Sequence, residues 1–490
     1  MGEGGQGGEA LRLSLSDALA RAHENSPHLS QLAAQQAAAE AALRGAQAEK
    51  RPLVDLSAGY TRNSHVDEFR LALPGQPSRV LFPDIPNNYR LHAGASVPLW
   101  TGGRIESAVV AADRQREAAG LDVAGAEHDL DLETRTAYWR LVTARESERV
   151  LAEAVTAYEA HLNDANNRFK YGVAARNEVL AVQVERDRAE LSRLQAENAA
   201  DISEADLLRL VGLPPGTHLD PTDPSDPTDR SDEKLEDLTT LAATAEQARP
   251  ELKALEARIA AARAAVGIQK AASKPQAFAS LGYDYADPNQ RIIPQRDEFR
   301  GTWSAGVTVS LRAFDGGRTA AAAAEASARA DALERELQDR RQRLRLEVTS
   351  RLLDVRTARA ALAVTGRNLE AARENVKVAK DRYREGVIPS TELLDAETNL
   401  LRAGLDQTSA ATQLRVALAN LEHTVGTGAR PSPPAPLPSP APPAPGRGEP
   451  PAQSDLATPP VSSLLVSPLP AGGGREMGEG PGVRALRRRP

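Results

Sequence analysis

Cysteine is absent from the 490 residues, which excludes structural disulfides and thiolate metal sites. Aromatic residues make up only 3%, whereas a globular enzyme of this length usually needs more Phe, Tyr and Trp to fill its core. No apolar run reaches the ~18 residues of a membrane-spanning helix. Charge of one sign is also lacking: the formal net charge of -7 gives no sign of a nucleic-acid partner. The eight histidines are scattered, none in a His-Glu-x-x-His spacing, and there is no phosphate-binding loop. No catalytic residue, metal or cofactor is therefore expected, and the chain is not expected to be an enzyme. The opening, Met1 to Ala10, does not read as a secretory leader, and that weighs against export.

What is present is Ala, Leu, Glu, Arg and Gln in long stretches, and an internal duplication. Trp100-Thr101-Gly102-Gly103-Arg104 matches Phe314-Asp315-Gly316-Gly317-Arg318 at a shift of 214 residues. Arg168-Phe169-Lys170-Tyr171-Gly172-Val173 matches Arg382-Tyr383-Arg384-Glu385-Gly386-Val387 at the same shift, as does Leu210-Val211-Gly212 with Thr424-Val425-Gly426. Upstream, Pro27 matches Pro250 and Ser57-Ala58-Gly59-Tyr60 matches Ser280-Leu281-Gly282-Tyr283 at a shift of 223. The first half therefore carries a longer loop between Tyr60 and Trp100, where Pro74, Pro77, Pro83 and Pro86 lie.

Each half reads alike. An Ala-rich helix comes first, Ser16 to Lys50 or Leu238 to Lys270. Two strands of period two follow, with Val54, Leu56, Ala58 and Tyr60 on one and Tyr89, Leu91, Ala93, Ala95 and Val97 on the next. After the Gly-Gly-Arg turn a heptad seam runs from Ile105 to Phe169, a helix of roughly 100 Å. Gly172 and Gly386 suit a helix end and reversal, and a return helix closes each half. The expected organisation is a flexible N-terminus at 1–13, a first repeat at 14–213, an Asp/Pro-rich linker at 214–237, a second repeat at 238–428 and a Pro-rich disordered tail at 429–490. Residues 431–490 hold 17 of the 34 prolines.

Four strands in two hairpins are marginal in water. In lipid they must close into a barrel, which four strands cannot do alone. The chain should then pool strands with copies of itself. The order of helix, hairpin, long helix, Gly reversal and return helix, given twice, resembles the TolC-like outer-membrane factor family over roughly Ser14 to Gly428. The fold class is mostly α with a small β part: duplicated long coiled-coil helices forming an α-barrel tunnel, and two β-hairpins giving four strands to a trimeric 12-strand transmembrane β-barrel. The trimer number is what the resemblance implies. So are a cell outer membrane location, a helical tunnel in the periplasm, and a passive duct for efflux or type I secretion. A periplasmic adaptor and an inner-membrane pump are the implied partners. Heptad seams alone would also suit a soluble or periplasmic coiled-coil scaffold or adaptor, and the cargo is not legible.

The resemblance also implies two sites. The tip residues Arg168, Tyr171, Gly172, Val173, Arg382, Tyr383, Gly386 and Val387 would meet the adaptor, although Gly172 and Gly386 could simply end helices. Glu392 and Asp395 would form an acidic periplasmic gate, and the 214-residue repeat adds Glu178 at the place that matches Glu392, although these residues also suit a solvated helix face. Family members often latch this tip with a basic residue two positions after the second-repeat Gly, where this chain has Ile388.

Overall fold

The computed structural model describes residues 10–72, 74–75, 77–221 and 237–427. The expectations for residues 1–9, for 222–236 of the linker and for the tail at 429–490 lie outside the described residues. The first repeat opens with β1 (Leu11–Leu13), α1 (Leu15–Asn25) and α2 (Pro27–Ala48). Strands β2 (Leu53–Arg62), β3 (Phe69–Leu71), β4 (Arg79–Phe82) and β5 (Asn87–Trp100) follow, then α3 (Arg104–Lys170) and α4 (Arg176–Val211). After β6 (Leu219–Pro221), the second repeat has α5 (Leu238–Ala248), α6 (Pro250–Ala271), β7 (Gln276–Asp287), β8 (Arg300–Ser310), α7 (Arg318–Arg384) and α8 (Ser390–Val425).

The single opening helix expected in each half is two helices. Proline at the first helical position has no N–H to continue the preceding turn, so Pro27 and Pro250 each start a new helix. Ser14 and Ser26 cap the two first-repeat helices by accepting N–H bonds from Asp17 and Leu29. A second correction concerns residues 11–13, expected in a flexible N-terminus, and 219–221, expected in the linker. They pair as the parallel strands β1 and β6. The long loop of the first half also holds its own small hairpin, β3 with β4.

The two hairpins join through β5 and β7 into one antiparallel sheet of order β2-β5-β7-β8. Helices α3 and α7 each run unbroken for 67 residues, about 100 Å at 1.5 Å per residue. Below the sheet and junction, contacts order the helices α4, α3, α8, α7, so α4 and α7 are outer edges. Each repeat has its own apolar core. The first packs Leu15, Ala22, Tyr138, Trp139, Leu141 and Leu207, and the second packs Leu252, Leu255, Val348, Leu352, Leu414 and Leu418. No helix among the described residues is long and apolar enough to cross a membrane.

Candidate functional site

The sheet has two chemically distinct faces. Antiparallel register sets Leu56 beside Ala93, Tyr283 and Trp303, and Val54 beside Ala95, Leu281 and Ala305. Successive side chains of a strand point to opposite faces. The intervening rows are therefore Asp55, Gly94, Gly282 and Ser304, and Ser57, His92, Asp284 and Thr302. The apolar face is bare: Leu56 is 79% exposed and Trp303 72%. On the polar face, Asp284 accepts from the Arg90 guanidinium at 2.7 Å and pairs with His92 Nδ1 at 2.9 Å.

At the other end of α3 and α7 the chain reverses twice in the same way. Val173 N–H donates to the Arg168 carbonyl and Gly172 N–H to that of Phe169, each at 2.9 Å. Val387 and Gly386 repeat this with Arg382 and Tyr383. This paired-bond termination needs a left-handed residue. Gly172 and Gly386 supply it with φ of 75° and 74°. Tyr171, Val173 and Val387 project into solvent, whereas Tyr383 is buried.

Arg168 bridges the two reversals. Its Nη2 donates to the Tyr383 carbonyl at 2.8 Å, and its guanidinium lies 4.0 Å from the Tyr383 ring centroid. A cation there also meets the carbonyl end of α7. Burial pushes the Tyr383 hydroxyl above its ordinary pKa, with Arg168 pulling it back. Ile388 is buried against Val376, Ala379 and Leu393. The cation on Tyr383 thus comes from the first repeat, not from position 388.

The three acidic candidates separate. Glu392 and Asp395 are exposed on the first turns of α8, and Glu392 sits 3.5 Å from Arg382. Glu178 is half-buried in the first turn of α4, where its carboxylate accepts the Ala175 N–H at 3.4 Å. That contact satisfies one otherwise orphaned helix-end donor.

Sequence reasoning missed a buried polar cluster just above the tip. His161 Nδ1 lies 2.9 Å from Glu397 Oε2, and His161 Nε2 lies 2.9 Å from Ser390 Oγ. The His161 and Glu397 side chains are 1% and 4% exposed. Lys380 Nζ stands 3.6 Å from the other Glu397 oxygen. A Ser, a His and a Glu in contact suggest acyl chemistry, but this cluster is shut off from solvent and works as a brace between α3 and α8. His161 lies more than two hundred residues from Ser390 and Glu397, so no local motif announces the cluster. The signal was available in the duplication, because the 214-residue shift replaces His161 by Asn375 and Glu397 by Gln183. Among the described residues no group of three or more His, Asp or Glu could hold a metal.

Comparison with known proteins gives these two ends a common setting. The model of the family described as outer membrane efflux protein matches residues 18–213 and 241–427. The chain belongs to the outer membrane efflux protein family. Protein CyaE of Bordetella pertussis is 28% identical over 317 residues, covering 65% of this chain and 66% of CyaE. Outer membrane protein OprJ of Pseudomonas aeruginosa is 29% identical over 182 residues, 37% of this chain and 38% of OprJ. The aligned stretch thus spans a little under two thirds of one relative and well under half of the other. The outer-membrane channel OprN superposes with a TM-score of 0.70 at 24% identity, over 84% of this chain and 90% of that one. At this identity the likeness speaks for the fold, and the fold is that of outer-membrane channels. Family and fold are those of passive channels rather than of enzymes.

Proposed function

We propose that the chain is one protomer of a homotrimeric outer-membrane channel, the passive exit duct of a tripartite efflux or type I secretion system. The observation that carries this reading is the two-faced sheet with open edges. The apolar face of Leu56, Val54, Tyr283 and Trp303 is too large to leave in water. Placed in lipid, the free edges of β2 and β8 must find partners, because unpaired backbone groups cost several kcal/mol each there. Four strands per chain do not close a barrel, and three chains give twelve. The polar rows with Asp55, His92 and Asp284 then face a water-filled lumen.

A duct with no nucleotide site cannot energise export. An inner-membrane pump and a periplasmic adaptor complete the system, the adaptor meeting the tip at Arg168–Val173 and Arg382–Val387. Glu392 and Asp395 form the acidic gate, since three chains bring three copies of each to the narrow end. Rings of carboxylates favour cations and repel one another. Glu178 has a capping role in addition.

The test is the detergent-solubilised full-length protein. It should run as a heat-modifiable trimer and open cation-selective channels in planar bilayers. A monomer without conductance would overturn the proposal. With Glu392→Gln and Asp395→Asn together, cation selectivity and block by multivalent cations should fall. Unchanged selectivity removes these residues from the gate but leaves the channel.

A further inference from the structure

The polar face of the four-stranded sheet carries its charge in one place. Side chains that share this face fall into rows across the strands. The rows nearer the helices, such as Leu53, Ser96, Ser280 and Gly306, hold no charge. Three consecutive rows further out hold Asp55, then His92 and Asp284, then Arg90 and Arg300. They span about 13 Å along the strands. Within this belt the opposite charges are nearly matched. Asp284 accepts from Arg90, and Arg300 Nε donates to Glu298 at 2.8 Å. The loop after β7 brings Arg291 to the recess that Arg90 and Asp284 also line, as a counterweight to Asp55.

His92 is built into the belt. Its Nδ1 meets the Asp284 carboxylate, and its side chain is 28% exposed. A Cβ at Gly94 would come within 2.7 Å of an Asp55 carboxylate oxygen and 3.0 Å of His92 Nε2. One at Gly282 would come within 3.3 Å of His92 Cε1. The two glycines thus make room for the imidazole between the carboxylates of β2 and β7. At this level β8 adds only the hydroxyls of Thr302 and Ser304. Imidazole is the side chain whose charge changes between about pH 5 and 8. In a belt so nearly balanced, one proton per chain decides the sign.

We infer that Asp55, Arg90, His92 and Asp284 form a pH-tuned ion filter inside the barrel, balanced while His92 is neutral and anion-favouring once His92 takes up a proton. The inference rests on the trimeric channel reading above, since three chains set three such belts around one lumen. The filter stands in series with the carboxylates at the far end of the helices and opposes them in acid. Fixed charge reaches about 10 Å into 0.1 M salt, so the filter acts most strongly in dilute salt.

The test is the reversal potential across planar bilayers under a gradient of dilute KCl. The full-length protein carries Glu392→Gln and Asp395→Asn, so that the carboxylates at the tip do not titrate. The cation-to-anion permeability ratio should fall about twofold or more from about pH 8 to about pH 5.5. Adding His92→Gln should hold the ratio level over this range. Adding Asp55→Asn instead, which leaves the contact of His92 with Asp284 in place, should lower the ratio at both ends of it. A ratio that ignores pH, or one that still falls with His92→Gln, would overturn the filter and leave the channel standing. An unaltered ratio with Asp55→Asn would do the same. A protein that opens no channel at all would remove the reading on which the inference stands, and the filter with it.

Discussion

The two repeats share a backbone plan and differ in how they hold it. In the first, α1 is tied to the long helix by His23 and Asp131 at 2.6 Å. At the matching place in the second, Glu246 of α5 meets Arg345 of α7. The sign of the charge is exchanged, and a titratable pair becomes a permanent one. The cores differ too. Tyr138 and Trp139 meet edge to face with ring centroids 5.2 Å apart, and the Tyr138 hydroxyl donates to the Leu13 carbonyl at 3.3 Å. Their counterparts are the aliphatic Leu352 and Leu353. At the tip, His161 stands where the second repeat has Asn375. The first repeat thus concentrates aromatic and ionisable groups, and the second relies on aliphatic packing and fixed charge. Duplication kept the apolar periodicity that sets the helices and left the polar joints free to diverge.

The largest way to break this contrast is at His161. His161→Leu leaves the Glu397 carboxylate buried without its main partner, which should cost about 3–5 kcal/mol. The matching Asn375 is exposed, so Asn375→Leu strands no charge and should change stability by no more than about 0.5 kcal/mol. Thermal unfolding of the detergent-solubilised protein reads both. The double variant with His161→Leu and Glu397→Leu should recover most of the loss. If it does not, the cluster is more than a charge-balanced brace.

The reversals should show no contrast. A Cβ at Gly172 or Gly386 meets no atom within 4 Å, so only the positive φ resists substitution. Gly172→Val and Gly386→Val should each cost about 1–2 kcal/mol, with trimers still assembling and pump-dependent efflux lost. Normal efflux in either variant would show that its tip does not dock the adaptor.

The smallest effect is a pH dependence confined to the first repeat. Burial, and then the neighbouring His423, hold the His128 pKa below its ordinary 6.5. Asp131 and Glu251 pull it the other way, and Arg249 adds to the lowering. The unfolded chain therefore takes up this proton first as pH falls. The associated stability is complete above pH 6.5, is lost as pH falls from there through the folded-state pKa, and is level below it. The counterpart is Gln342, which does not titrate. His128→Gln should flatten the slope of melting temperature against pH in that window. An unchanged slope would assign it to other groups.

Much of this fold was legible because long periodic segments leave little choice. The heptad seam placed α3 and α7, and the left-handed glycines placed their ends. What was not legible involves contacts distant in sequence. Leu11–Leu13 pairs with a strand some two hundred residues away, and the breaks at Pro27 and Pro250 were hidden by Ala-rich sequence continuing on both sides. The tip residues could be found from the repeated motif, yet Arg168 reaching the Tyr383 carbonyl could not. It needs a long flexible side chain crossing between repeats. His161 and Glu397 look like ordinary helix-surface residues until α8 is laid on α3.

The unbroken length of α3 makes it a lever. From Asp131, where the first repeat is pinned to α1, to Lys170 at the reversal, the helix extends for about 60 Å. Tilting such an arm by about five degrees sweeps its far end through roughly 5 Å, comparable to one helical turn. A displacement too small to disturb side-chain packing at the fulcrum is therefore large where Glu392 and Asp395 stand. The geometry provides mechanical gain, so a small tilt near the fulcrum becomes a large displacement at the tip while the core around Trp139 stays packed.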